Sequence, residues 1–203
     1  VSGGLAWALV ALGIGVVVVR RRSVAVGLVT AQALLLGASA LRDGVSGEAA
    51  PAAGALALRG LLLAGLFLFL VRRTRETRPV RAGVAPLARA AAAVVLVLAL
   101  IWLVPTIGLD SQQAERATLA LVAIGLVTAA TRRATLFQVL GIVLVENGLA
   151  LAALSLPGTS SLAIEIGVAV DLLLVALVAG VFHDRIFAEF GAGDSAVLRS
   201  LRD

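Results

Sequence analysis

The sequence contains no cysteine, no methionine, no tyrosine and a single histidine. Without thiols the chain builds no disulfide, no thiolate metal site and no iron–sulfur ligation, and thiol catalysis is excluded. One histidine, His183, is too few for a zinc or haem site made by this chain alone. It stands beside Asp184 and Arg185 and reads as a solvated interfacial residue. Lysine is absent as well, so all 17 basic residues are arginines. The scattered glycines therefore match no phosphate-binding loop, which needs a lysine to complete it. Charge is scarce overall: 14% of the 203 residues, against about 25% in an average soluble domain.

What fills the chain instead is apolar. Hydrophobic residues make up 61% of it, and the mean hydropathy is +1.08. That leaves too little polar surface to coat a globule in water, so a soluble enzyme is not expected. A net charge of +5 and a pI near 11.5 would point to nucleic acid in a soluble protein. Here the arginines sit in short blocks between apolar runs, as in the loops of membrane proteins. The expected partner is a lipid bilayer and not nucleic acid. No positively charged segment precedes the first apolar run, so a cleaved signal peptide is not expected.

A bilayer core about 30 Å thick takes about 20 apolar residues per helix. Seven stretches approach that length, at 2–19, 23–41, 52–71, 90–109, 117–131, 134–154 and 161–182. None alternates apolar and polar residues as barrel strands do. The expected fold is all-α, a polytopic membrane bundle of about seven transmembrane helices. The fifth stretch is the shortest and borrows length from its polar flanks. Fourteen arginines fall in alternate loops and the tail, among them Arg20–Arg22, Arg72, Arg73, Arg89, Arg132 and Arg133, whereas Arg42 and Arg116 alone fall on the other side. This split places the N-terminus outside and the C-terminus in the cytoplasm. The arginine-rich loop at 72–89, with Pro79 and Pro86, divides a three-span block (1–89) from a four-span block (90–183). A tail at 184–203 mixes apolar and charged residues in the manner of a surface or docking segment.

Four ionisable residues fall inside spans: Arg59, Glu146, Glu165 and Asp171. Each costs at least about 2.5–3.5 kcal/mol at a helix centre and so requires a partner or a wet cavity. Counted along the helical rise, Arg59, Glu146 and Asp171 share a layer about 16–18 Å from the cytoplasmic boundary, with Glu165 about 9 Å further out. An arginine lowers the pKa of a neighbouring carboxylate and burial raises it. A balance of the two would let protonation switch as nearby charge moves. Gln32, Gln138 and Asn147 are placed to hold waters between such groups, and Gly141, Gly148, Gly167 and Gly180 allow close helix approach. A plain structural ion pair is the alternative. Trp7 and Trp102 read as interface or packing aromatics, and Pro105 as a residue that bends or ends its span.

The run RRATLFQVLGIVLVENGLAL at 132–151 resembles the small K-type membrane subunit of respiratory complex I. It is also similar to the C-type subunit of multisubunit cation/proton antiporters. With the last span, SLAIEIGVAVDLLLVALVAGVFHDRI, and a tail ending in LRSLR, the chain looks most like hydrogenase-4 component E of formate-hydrogenlyase-type complexes. Residues 117–182 would be the K-like three-helix unit. The register departs from complex I in one respect, because the first acid of that family would fall at Val143 and this chain carries Glu146, one turn further out. The resemblance implies a non-catalytic subunit of a bacterial cytoplasmic membrane complex. Its neighbours would be quinone-site-like and large antiporter-like membrane subunits and a peripheral hydrogenase arm. Nickel–iron and iron–sulfur centres would belong to those partners, with no cofactor in this chain. Glu146, Asp171, Glu165 and Arg59 would then contribute to a proton path. A subunit of a cation/proton antiporter without redox partners, and a structural membrane spacer, are the competing readings.

Overall fold

A computed structural model of the chain describes residues 3–43, 49–73, 85–156 and 180. The expected seventh span with Glu165 and Asp171, His183, the tail at 184–203, and residues 74–84 of the arginine-rich loop lie outside the described residues. The elements among the described residues are six α-helices: α1 Gly3–Val18, α2 Arg22–Asp43, α3 Ala49–Arg73, α4 Pro86–Leu103, α5 Gln112–Thr131 and α6 Thr135–Leu154. Four segments are long and apolar enough to cross a membrane: Arg22–Ala40, Pro86–Leu103, Gln112–Thr131 and Thr135–Leu154. Gly3–Val18 and Ala57–Phe69 are shorter apolar helical stretches.

The helix ends follow local chemistry. α4 starts at Pro86, whose fixed φ and missing N–H suit a first helical position, and so takes in Arg89, which the sequence reading left in the loop. It stops at Leu103 rather than running on to 109. Val104 is extended (φ −85°, ψ 122°), as the residue before a proline prefers. α5 is longer than its apolar run. Ser111 caps it, its Oγ accepting from the Ala114 N–H at 3.1 Å, and Glu115 in the first turn favours the positive helix end. The polar flank thus becomes helix, and the fifth span reaches 20 residues.

Small residues decide how closely the helices pack. A Cβ on Gly125 would lie 2.5 Å from the carbonyl oxygen of Gly141, and one on Gly141 would lie 2.6 Å from the Ala129 nitrogen. Backbone meets backbone there, so α5 and α6 form the tightest pair of the bundle. On the other side Gly60 of α3 fits against Ala33 of α2, where an added Cβ would come within 2.7 Å. α1 bridges the two pairs by packing on α5 and α2, α2 also meets α6, and α4 lies outermost on α5 and α1. Leu9, Leu36, Leu121, Phe137, Leu140 and Leu144 fill the shared core. The outer face of α4 is apolar and open, with Leu87, Val95, Leu98, Trp102 and Leu103 all largely exposed.

Candidate functional site: a polar row across four helices

Of the four buried ionisable residues expected from the sequence, the two described ones meet. Arg59 Nη2 of α3 lies 3.1 Å from Glu146 Oε2 of α6. Their side chains are 4% and 15% exposed, so the pair stands inside the bundle and not at its surface. The same Arg59 nitrogen donates to Asn147 Oδ1 at 3.3 Å. Asn147 Nδ2 donates to Gln32 Oε1 of α2 at 3.0 Å, and Gln32 Nε2 donates to the Leu9 carbonyl of α1 at 2.6 Å. Gln32 and Asn147 are fully buried. The result is one row, Glu146–Arg59–Asn147–Gln32–Leu9, that joins α6, α3, α2 and α1 through polar contacts alone.

The row exists because α6 supplies Glu146 and Asn147, α3 Arg59 and α2 Gln32 at matching height within otherwise apolar runs, and α1 supplies a backbone carbonyl. Buried amides and charges must find partners in a low-dielectric interior, and here they find one another. A cavity of about 10 Å³ adjoins the row between α2, α3 and α6, with Arg59, Asn147 and Val143 in its wall. That is the room one water molecule needs. Val143, the position at which the K-type register would set its acid, is thus a buried apolar residue beside the site.

Two expectations are corrected. Gln32 and Asn147 bond directly to each other rather than through water. Gln138 takes no part in the row: its Nε2 donates to the Arg132 carbonyl at 3.0 Å and closes the α5–α6 turn. Glu165 and Asp171 fall outside the described residues, and their place relative to the row is not defined.

Sequence reasoning also counted as loop charges three arginines that prove to be buried: Arg22, Arg89 and Arg132. Arg132 turns inward from the α5–α6 junction. Its Nη2 donates to the carbonyls of Val16 at 3.2 Å and Val17 at 2.9 Å, and also to that of Val19, at the open end of α1. These are acceptors that a helix end leaves without intrahelical partners. Its guanidinium also lies over the Phe137 ring, 3.9 Å from the centroid. Burial first, then the charges of Arg89 and Arg20, push the Arg132 pKa down to about 10, so it remains charged near neutrality. The signal that could have found it is the five-residue spacing from Arg132 to Phe137 around a very short helix connection.

Among the described residues, no group of three or more histidine or acidic side chains is placed to hold a metal ion. The arrangement holds one charge pair inside the bundle, with two buried amides beside it. Comparison with known proteins adds little to the chemistry. No family model matches the chain, and no solved structure does. The chain is 36% identical over 87 residues to uncharacterized protein Rv0085 of Mycobacterium tuberculosis (strain ATCC 25618 / H37Rv), a match covering 43% of this chain and 40% of that protein. It thus spans about two fifths of the length of the curated relative it matches.

Proposed function

We propose that the chain is a non-catalytic membrane subunit of a complex I-like hydrogenase or related oxidoreductase, in which Glu146 is a protonatable station of a proton path. The observation that carries the reading is the Arg59–Glu146 pair held by Asn147 and Gln32 inside the bundle. A carboxylate costs too much at such a depth to stay there without a role or a partner, and its partner is itself an ion that can be displaced. The likeness of residues 132–151 to K-type subunits supports the same assignment. Charge moving in a neighbouring subunit would weaken the hold of Arg59 on Glu146 and change its proton occupancy. Asp171 and Glu165 would extend the path in the last span. The antiporter subunit remains the alternative on the same residues.

A second reading has its own observation. Arg59 contacts both Glu146 and Asn147, and the adjoining cavity holds about one water rather than a chain. In this reading the row pins four helices in register and conducts nothing.

The test compares wild type with Glu146→Gln in inverted membrane vesicles, after native electrophoresis has shown that the complex assembles. Impaired proton uptake in an assembled variant supports the path, and unchanged uptake leaves the spacer. Purification of the tagged protein from mild detergent, with metal analysis, separates the partner classes. Nickel and iron in co-purified chains support the hydrogenase. Antiporter chains without metals move the function to ion exchange.

A further inference from the structure

The arginine-rich ends of α1, α4 and α5 gather positive charge that the polar row does not use. Arg89, in the first turn of α4, is 1% exposed, and none of its Nε, Nη1 and Nη2 has a hydrogen-bond partner among the described residues. Nε and Nη1 of Arg132 are buried in the same condition. Arg20 acts electrostatically on both, and Arg89 acts on Arg132, so the three form one cluster. The described carboxylates do not answer it. Asp43 and Glu115 belong to the opposite ends of their helices, Asp110 lies in the α4–α5 connection at that opposite end, and Glu146 is engaged with Arg59. Buried guanidinium nitrogens without an acceptor are costly, and an anion would satisfy them.

The cluster stands at the end of a groove between α1, α4 and α5. The groove encloses about 210 Å³, and its wall is apolar apart from Arg116 at the far end, with Trp7, Val17, Ala90, Val97 and Ile101 among the residues that form it. At the arginine end it begins with Ala90, next to Arg89 in the chain, and Val17, whose carbonyl Arg132 holds. From Ala90 to Ile101 the helical rise gives about 16 Å, close to the roughly 15 Å of one leaflet's hydrocarbon. A cationic head at one end and an apolar slot of leaflet depth beyond it match one class of molecule.

We propose that Arg89, Arg132 and Arg20, together with the α1–α4–α5 groove, seat one anionic phospholipid of the leaflet on the arginine-rich side. Its phosphate occupies the guanidinium cluster and one acyl chain lies along the groove. Arg20, which is exposed, draws the headgroup in, and Arg89 turns its unsatisfied donors to it. The site is independent of the proton path and stands or falls separately.

The full chain, purified in mild detergent and stripped of lipid, is titrated with phosphatidylglycerol, phosphatidylcholine of the same acyl chains, or inorganic phosphate. Native mass spectrometry and thermal unfolding report binding. Phosphatidylglycerol is expected to bind about tenfold more tightly than phosphatidylcholine, a modest return for three arginines near a phosphate, and to raise Tm. Arg89→Leu should abolish that preference while remaining at least as stable as wild type without lipid. Ala90→Phe, which fills the groove and leaves the arginines, should lose phosphatidylglycerol as well. Equal binding of the two lipids by wild type overturns the proposal, and so does the same stabilisation by inorganic phosphate alone. A lipid-free Arg89→Leu protein markedly less stable than wild type would also overturn it, since a protein carboxylate would then already neutralise Arg89.

Discussion

Removing both members of the Arg59–Glu146 pair should be far less harmful than the two single losses added together. Glu146→Leu leaves a guanidinium, 5% exposed as a residue, with Asn147 as an acceptor at 3.3 Å. Breaking a buried pair from one side costs about 3–5 kcal/mol, and the remaining Asn147 contact puts this case near about 3 kcal/mol. Arg59→Met is milder, because a buried carboxylate that loses its arginine can take up a proton rather than stay charged. With the donor to Asn147 also lost, it should cost about 2 kcal/mol. The double variant retains the Asn147 loss and some repacking, again about 2 kcal/mol in total. The coupling energy is then about 3 kcal/mol, at the upper end of what residues in contact show. Reversible unfolding in mixed micelles, followed by helical circular dichroism, measures all four proteins. Additivity within about 0.5 kcal/mol would refute a direct interaction, and with it both functional readings of the row.

Three further outcomes follow from other parts of the bundle. Gly141→Val should separate α5 from α6, since its Cβ would sit 2.6 Å from the Ala129 nitrogen, and should destabilise by about 1–3 kcal/mol or more; Gly27→Ala and Gly65→Ala, with open space around them, should be neutral or slightly stabilising, and thermal unfolding compares the three. Arg132→Leu should release the last carbonyls of α1, visible as faster amide exchange across residues 14–19, and Arg132→Lys should not restore protection because a compact ammonium lacks the planar guanidinium that lies over the Phe137 ring. Trp7 is half exposed and Trp102 is 87% exposed, each near the end of its helix away from the arginine cluster. In lipid nanodiscs both should therefore be quenched more strongly by lipids labelled near the headgroup than by those labelled at the chain end, and the reverse order would contradict a bilayer-boundary position.

The apolar runs disclosed the helices because chain length and hydropathy alone set what can cross a bilayer. The meeting of Arg59 with Glu146 was foreseeable from helical rise, which places both at the same height. Helix rotation and neighbour order were not foreseeable, so the sequence offered Gln138 and Gln32 as equivalent candidates and only Gln32 joins the row. Helix ends shifted where local capping outweighed hydropathy, as at Ser111, Pro86 and Val104. The arginines misled most. A count by loop treats every guanidinium as solvated, yet Arg89 and Arg132 sit at helix ends whose neighbours enclose them, and no periodicity marks that. Gly125 was overlooked because a glycine within an apolar run carries no signal until its partner at Gly141 is known.

α1 is held by other helices' side chains acting on its backbone, with Gln32 at the Leu9 carbonyl and Arg132 at its last turn. The first tie spans 23 residues and the last 113. During synthesis the Gln32 bond can form as soon as the first helical hairpin is in the bilayer. At roughly 5–20 residues per second, the Arg132 donor emerges about 5–20 s later. In that interval the far end of α1 has open carbonyls and no clamp, and any membrane chaperone or partner helix that engages the nascent chain meets it in that state. The order of biosynthesis thus leaves the end of α1 open until α5 is complete.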